Sequence, residues 1–167
     1  SGVITTAHKN SRVEQIHLDK AIQVMSRLNN HAGRLAVEFG ASAMTDITGF
    51  GLIGHSYEMA NASQKSFHVH YSALHWMDGA QAYAEQSIFA GGVFRNKNYF
   101  EQWVDIQADI AEYQQNLLYD PQTSGGLLIA IHEANADKLL HELGNVGDDA
   151  RIIGQVFDGN QPIVVKA

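Results

Sequence analysis

The chain has 167 residues, a length that suits one domain, and with 45% hydrophobic and 17% charged residues it can bury a core. The net charge of −7 argues against a nucleic-acid-binding surface, which needs a clustered basic face. Cysteine is absent, which excludes disulfide bonds, thiolate nucleophiles and cysteine zinc sites. No apolar run is long enough to span a bilayer and no signal peptide is visible, so we expect a cytoplasmic protein without membrane association.

The first part of the chain predicts an extended segment and then two helices. Residues 1–12 are polar with one β-prone piece, so we interpret them as a linker that leads into a single domain, residues 13–167. Apolar residues at helical spacing predict a first helix with a core-facing stripe: Leu18, Ala21, Ile22, Met25 and Leu28. A second helix starts near His31 and ends at Gly40, a residue typical of helix C-termini.

A short strand over residues 41–45 is predicted to deliver Asp46 to a glycine-rich turn, which opens a helix. Thr48 is the expected N-cap of this helix, because its hydroxyl can accept an N–H of the first turn. Gly49 and Gly51 allow a positive φ, or let a ligand approach the backbone closely. The turn is therefore the first candidate for a binding site.

The residue types of this turn suit magnesium-bound phosphate. The carboxylate of Asp46 is a hard oxygen ligand for the metal, and the first helical turn presents N–H groups and the positive end of the helix dipole to phosphate oxygens. The alternative is an ordinary strand-to-helix turn in which Asp46 is a cap or is solvated, because glycine-rich turns are common. These residues alone leave both interpretations open.

Residues 66–71 alternate between apolar and polar side chains, which predicts a strand with His68 and His70 on one face. A metal site there lacks a third ligand at zinc spacing, so we interpret both as partly exposed histidines of a sheet. Residues 79–89 predict a helix. Residues 90–98 predict a polar loop, which either closes over a substrate or is an ordinary solvated loop.

Residues 99–119 have apolar residues at helical spacing, and Asp120-Pro121 ends this segment. The polar turn that follows is either a second anion-binding nest or a tight turn that aims the next strand; its residues are Thr123, Ser124, Gly125 and Gly126. Residues 127–131 form a continuous apolar run, which predicts a strand buried on both faces.

The last part of the chain predicts a helix over residues 134–143 and a β-hairpin. Its strands are residues 151–157 and 163–165, joined by a turn at Asp158-Gly159. Strands and helices mingle along the whole chain, so we predict an α+β fold, layered α/β/α, with a mixed sheet covered by helices.

Four segments of the chain resemble the motifs of the selenide, water dikinase (selenophosphate synthetase) family, in the family's order. A chance match to one such segment is easy, whereas a match to all four in order is not. The segments are residues 2–7, 45–55, 91–96 and 120–128.

The resemblance implies the C-terminal domain of the aminoimidazole ribonucleotide synthetase-like superfamily, a three-layer α/β/α domain. The family makes selenophosphate from selenide, ATP and water, and releases AMP and phosphate. By this resemblance Asp46 is a Mg²⁺ ligand that holds a metal bridging the ATP phosphates. The candidate cofactor-binding residues are Thr48, Gly49, Gly51, Thr123, Ser124, Gly125 and Gly126. The resemblance assigns no contact to Asp120, Arg95 or Asn96.

The resemblance also implies a longer enzyme of two domains. In the family, the reactive Cys or selenocysteine, an essential Lys and most metal-binding acids lie in the N-terminal half, which is not in this sequence. We therefore expect a fragment that is inactive alone, partnered by its own N-terminal domain in a homodimeric enzyme. Two alternatives remain: another ATP-using member of the superfamily, such as a hydrogenase-maturation or thiamine-phosphate kinase relative, and a non-catalytic interaction domain.

Overall fold

A computed structural model describes residues 1–160 and 162–167 of the chain. The helices are α1 Gly2–Lys9, α2 Gln15–Ser26, α3 Asn30–Glu38, α4 Gly51–Ser63, α5 Ala80–Glu85, α6 Gly91–Phe100, α7 Glu112–Leu117 and α8 Glu133–Asn145. The strands are β1 Ala43–Asp46, β2 Ser66–His70, β3 Val104–Ile106, β4 Leu127–Ala130, β5 Gly154–Phe157 and β6 Ile163–Lys166. Short 3₁₀ turns follow β2 and α6.

The larger sheet has four strands in the order β3-β6-β2-β5. Strand β6 runs parallel to β2 and β3, with Ile163 opposite both Phe67 and Val104, whereas β5 runs antiparallel to β2. Strands β1 and β4 form a separate antiparallel ribbon, in which Asp46 lies opposite Leu127. A mixed sheet flanked by helices confirms the predicted α+β class.

Three groups of buried side chains hold these elements together. The largest lies between the four-stranded sheet and helices α4 and α6 and includes Ile53, Phe67, Val93, Leu118 and Ile163. The second joins α1 to α2, α5 and α7, and the third joins α3 to α8 beside the ribbon. The ribbon therefore lies between α4 and the α3–α8 pair, and its carboxyl-terminal end at Asp46 stays open to solvent.

The extended conformation predicted for the first residues is wrong, because residues 2–9 form helix α1. The β-branched residues there suggested a strand, but Val3, Ile4 and Ala7 share one face of a helix and are all buried. Burial of that face outweighs the β propensity. The division of the chain into residues 1–12 and 13–167 stays a prediction.

The loop predicted over residues 90–98 is also wrong, because residues 91–98 belong to α6, which buries Val93 and Phe100. The paired glycines resembled a chain breaker, yet Gly92 is small because a Cβ there would lie 2.6 Å from Pro121 Cγ. Within residues 99–119 the helical spacing holds at the end of α6 and in α7, whereas a 3₁₀ turn and strand β3 lie between them.

The predicted C-terminal hairpin does not form, although β5 and β6 lie close to the predicted strands. Both strands pair with β2, which lies between them, so they do not bond to each other. Strand β4 is also not buried on both faces: it pairs with β1 in the ribbon, and all of its residues are half-exposed. The predicted stripe of the first helix is only partly buried: Ala21 and Met25 pack in the second group of buried side chains, whereas Ile22 and Leu28, which follows the end of α2, are exposed.

Candidate functional site

Two turns that are distant in sequence lie against each other: the Asp46 turn, residues 46–51, and the Asp120 turn, residues 119–126. The N–H of Gln122 donates to Thr48 O at 2.9 Å. The N–H of Gly125 donates to Ile47 O and that of Ile47 donates to Gly126 O, both at 2.9 Å. The antiparallel ribbon thus continues past its strands and fixes the position of one turn on the other.

Helices α1 and α6 complete this junction. The N–H of Gly2 donates to Pro121 O at 3.0 Å, which places the start of α1 on the Asp120 turn. The buried amide of Asn96, on α6, donates through Nδ2 to Gly49 O at 2.9 Å and to Tyr119 O at 3.0 Å. All four segments that carry the sequence resemblance therefore meet at one place in the fold.

Two glycines of this junction serve close packing of the chain. Gly51 has a φ of +71°, and a Cβ there would lie 2.8 Å from the carbonyl carbon of Tyr119. A Cβ on Gly125 would lie 2.8 Å from Ile47 O. Gly49 and Gly126 are different, because a Cβ on either would meet no atom within 4 Å among the residues described. Only the latter two leave backbone open toward an incoming group.

The prediction that Thr48 caps α4 is wrong. Phe50 occupies the N-cap position, and the hydroxyl of Thr48 instead lies 3.1 Å from His55 Nε2. The helix starts at Gly51, whose N–H donates to Thr48 O at 3.1 Å, and the N–H of Ile53 donates to Leu118 O at 3.2 Å. Two of the donors of the first turn are therefore used within the protein and are not offered to an anion.

His55 was missed as a site residue. The residue is 8% exposed, and its ring lies beside Phe50 at a centroid distance of 5.4 Å and places Nδ1 3.1 Å from Glu58 Oε2. The spacing of three residues between a histidine and a glutamate within a predicted helix was the available signal, since such residues are neighbours on a helix surface.

Thr123 and Ser124, which were also predicted to bind the cofactor, form hydrogen bonds with other parts of the protein. The N–H of Thr123 donates to Ser1 Oγ at 2.9 Å, and Ser124 Oγ donates to Arg27 O at 3.2 Å. Ser124 also has a positive φ of +50°, so the turn is held in a left-handed conformation at a non-glycine residue. Their role in cofactor binding, and that of Gly125 and Gly126, stays a prediction.

Asp120 is a buried carboxylate at the centre of the junction. Its Oδ2 accepts from the Val3 N–H at 3.1 Å and from Gln122 Nε2 at 3.0 Å, and it lies 3.3 Å from the Ser1 nitrogen. Burial raises the pKa of Asp120, against the lowering effect of these donors. The carboxylate lies at the positive end of the α1 dipole and so anchors that helix to the Asp120 turn.

Asp46 is exposed at the end of β1 and forms no ion pair among residues 1–160 and 162–167. Within the same residues, no group of three or more His, Asp or Glu side chains is placed to hold a metal ion. Asp46 is thus an unpaired carboxylate close to the open backbone of Gly49 and Gly126. Two surface cavities, of about 410 and 210 Å³, are lined by residues remote from it in sequence, such as His75 and Tyr113.

His68 and His70 lie on β2, as predicted. The ring of His68 packs against Phe157 at a centroid distance of 4.3 Å. Partial desolvation, followed by the charges of Lys166 and His70, lowers the pKa of His68. Both are half-exposed on this strand, as expected for histidines of a sheet face, and the absence of a metal there stays a prediction. Arg95 is exposed on α6 and makes no described contact with either turn.

No helix in the described part of the chain has the length and apolar character needed to cross a membrane.

Comparison with known proteins finds relatives that are named selenide, water dikinase. Selenide, water dikinase of Clostridium botulinum (strain Eklund 17B / Type B) is 39% identical over 166 residues, covering 99% of this chain and 48% of the relative. The namesake proteins of Clostridioides difficile (strain 630) and Campylobacter jejuni (strain ATCC 700819 / NCTC 11168) are 40% and 36% identical, covering 93% and 99% of this chain and 45% and 47% of the relatives.

The chain spans about half the length of the curated relatives it matches. The family described as AIR synthase related protein, C-terminal domain, matches residues 4–166, which is nearly the whole chain. The chain therefore belongs to the AIR synthase related C-terminal domain family.

Proposed function

We propose that this chain is the C-terminal domain of a selenide, water dikinase and contributes the Asp46 carboxylate as a Mg²⁺ ligand. The full enzyme would use ATP to phosphorylate selenide to selenophosphate, with AMP and phosphate released. The observation that carries the proposal is an exposed, unpaired acid at the edge of the junction where all four resembling segments meet.

The residues present suit one corner of a magnesium site. Mg²⁺ prefers an octahedral oxygen shell, keeps several waters, and is usually bound through one or two carboxylates plus substrate phosphates. Asp46 would supply one carboxylate, and water, the ATP phosphates and the other half of the enzyme would supply the rest. When bound, the metal neutralises charge on the transferring phosphoryl group and orients it.

The open backbone beside Asp46 gives the phosphates a place to lie. Gly49 and Gly126 have no neighbouring atom where a Cβ would be, so a phosphate oxygen can approach the backbone there. Asn96 and the backbone bonds between the turns keep these glycines in place. The chain's own contribution would therefore be a rigid wall of the substrate cleft together with one metal ligand.

The proposal extends to the partners of the full enzyme. ATP and selenide would be its substrates, the N-terminal domain would provide the opposite wall of the cleft, and the enzyme would act as a cytoplasmic homodimer. The isolated chain would bind Mg²⁺ weakly and turn over no ATP, because a lone carboxylate does not dehydrate the ion.

The substitution Asp46→Asn in the full-length enzyme tests the metal role. The amide keeps the size of the side chain but removes the charge that attracts the metal, so we expect selenide-dependent AMP formation to fall by at least about a hundredfold. Asp109→Asn is the matched control, because Asp109 is an exposed acid with no described partner, and its turnover should be unchanged.

The outcomes separate the possible functions. Retained turnover in the Asp46→Asn enzyme would remove Asp46 from the metal role. ATP hydrolysis by the unaltered enzyme that does not depend on selenide would instead favour another ATP-using member of the superfamily. Tight nucleotide binding by the isolated chain, measured by calorimetry, would contradict a site shared with a second domain.

A further inference from the structure

Three side chains beside the Asp46 turn form a hydrogen-bonded chain from a hydroxyl, through a buried imidazole, to a carboxylate. Thr48 Oγ1 lies 3.1 Å from His55 Nε2, and His55 Nδ1 lies 3.1 Å from Glu58 Oε2. His55 is buried, whereas Thr48 is half-exposed and Glu58 is at the surface. This series of hydrogen bonds thus begins at the Asp46 turn and ends at a solvent-exposed carboxylate.

The donor and the acceptor in each of these two hydrogen bonds follow from the chemistry of the groups. An ionised carboxylate only accepts hydrogen bonds, so His55 Nδ1 must carry the proton that faces Glu58. In a neutral imidazole the other nitrogen then has a lone pair and accepts. The hydroxyl of Thr48 is therefore the donor to His55 Nε2.

This arrangement decides what Thr48 can offer to a ligand. A hydroxyl has one proton and two lone pairs, and the proton is already given to His55. Toward the open side, Thr48 Oγ1 can only accept, and it follows Asp46 by two residues in the same exposed turn. A cation with its bound waters presents donors to such an oxygen, whereas a bare phosphate presents none.

We propose that His55 is a positioning residue: it fixes the Thr48 hydroxyl as an acceptor, so that Thr48 takes a hydrogen bond from a water carried by the divalent cation at Asp46. The inference rests on the proposed metal role of Asp46 and adds two residues to it. Glu58 acts one step further out, by selecting the tautomer of His55.

The tautomer is measured directly on this chain by long-range ¹H–¹⁵N NMR of its histidine rings. We expect His55 to carry its proton on Nδ1 and to keep Nε2 unprotonated at neutral pH. A proton on Nε2 would make Thr48 the acceptor in that bond, and the inference would be overturned whatever the enzyme does.

The response to the cation is measured with Mn²⁺ alone, through paramagnetic broadening of the Gly49 amide signal. Thr48→Val removes the hydroxyl. His55→Asn keeps the Thr48 hydroxyl but has a side chain too short to bond to it. For both variants we expect the Mn²⁺ concentration at half-broadening to rise by about tenfold, the lower end of losses seen for outer-shell partners. Thr48→Ser keeps the hydroxyl and His55→Gln offers an amide oxygen near Nε2, so both should stay close to the unaltered chain.

The control is His75→Gln, because His75 pairs with Asp149 at 2.8 Å in the same histidine–carboxylate manner but is exposed and belongs to neither turn. It should not alter the Mn²⁺ response. The amide spectrum of each variant shows whether it folds, and Thr48→Ser and Thr48→Val test the idea at a half-exposed position if His55 variants do not fold.

Equal responses from the unaltered chain and Thr48→Val would overturn this inference alone. A Gly49 signal that stays insensitive to Mn²⁺ in the full-length enzyme as well would contradict both this inference and the metal role of Asp46. The inference is supported if His55 carries its proton on Nδ1 and the Mn²⁺ response is about tenfold weaker in both Thr48→Val and His55→Asn.

Discussion

Strands β6 and β4 are both short and almost wholly apolar, yet the fold places them in opposite surroundings. In β6, Ile163, Val164 and Val165 are buried between β3 and β2, and the strand has partners on both edges. In β4, every residue is half-exposed and the strand pairs with β1 in a two-stranded ribbon. The same kind of sequence thus builds the core of one sheet and the half-exposed ribbon that leads to Asp46.

The difference between these strands separates stability from the candidate site. The four-stranded sheet contributes the largest group of buried side chains, and no predicted site residue lies on it. The ribbon contributes little buried surface of its own, but its end is where the two turns meet. A strand that ends in solvent can present a carboxylate, which a strand in the middle of a sheet cannot do without desolvating it.

The largest expected effect tests the contrast between the strands directly. Ile163→Ala empties a fully buried position in β6 and should lower the free energy of unfolding by about 3 kcal/mol. Ile129→Ala, the matched change in β4, should cost about 1 kcal/mol because its side chain is already half-exposed. Urea unfolding followed by circular dichroism measures both. Similar losses would contradict the contrast.

The next effect tests whether the junction is as constrained as the core. Gly51→Ala places a Cβ 2.8 Å from the Tyr119 carbonyl carbon at a φ of +71°, so we expect a loss of about 2 kcal/mol. Gly49→Ala, two residues earlier, has open space and should change the free energy of unfolding by less than about 0.5 kcal/mol. Denaturant midpoints compare the pair, and equal values would mean that the Asp46 turn is not packed on the Asp120 turn.

A smaller loss is expected where α6 holds the two turns together. Asn96→Ala leaves Gly49 O and Tyr119 O without their shared donor, which should cost about 1 to 2 kcal/mol. Asn98→Ala, on the exposed side of the same helix, is the control. Hydrogen exchange should also speed up at residues 47–51 in the first variant only; unchanged exchange there would remove Asn96 from the junction.

The smallest effect concerns pH. Burial raises the pKa of Asp120 above its ordinary value of 3.8, so the folded chain binds this proton more tightly than the unfolded chain. The resulting stabilisation is present below the ordinary pKa and is lost as pH rises through the raised pKa. Asp120→Asn does not titrate, so relative to the unaltered chain it should gain stability as pH rises above the ordinary pKa of the Asp120 carboxyl. Parallel pH profiles in urea unfolding would contradict this assignment.

The sequence predicted the elements whose signal is local. The helix predicted to start near His31, its end at Gly40 and the strand that delivers Asp46 all lie where periodicity and turn chemistry indicated. The α+β class followed from the mixture of such elements. The exposed position of Asp46 agrees with the turn that was predicted to present it.

The elements that were mispredicted depend on contacts between distant residues. Residues 2–9 become a helix because Val3 and Ile4 find a buried surface on α5 and α7, and α6 forms where Gly92 fits against Pro121. Strand β2 separates β5 from β6, which no local pattern reveals. Likewise, the use of the Thr48 hydroxyl by His55 depends on where the turn bends, so the N-cap prediction failed.

The position of β6 also sets the order in which the fold can be completed during synthesis. Strands β2 and β3 each pair with β6 and not with each other, so the sheet stays divided until residues 163–166 have left the ribosome. Until then the apolar faces of Phe67 and Val104 have no strand between them, and pairing across such a separation in sequence is slow. A nascent chain stalled before Ile163 should therefore be a substrate for chaperones, whereas one that ends after Lys166 should not.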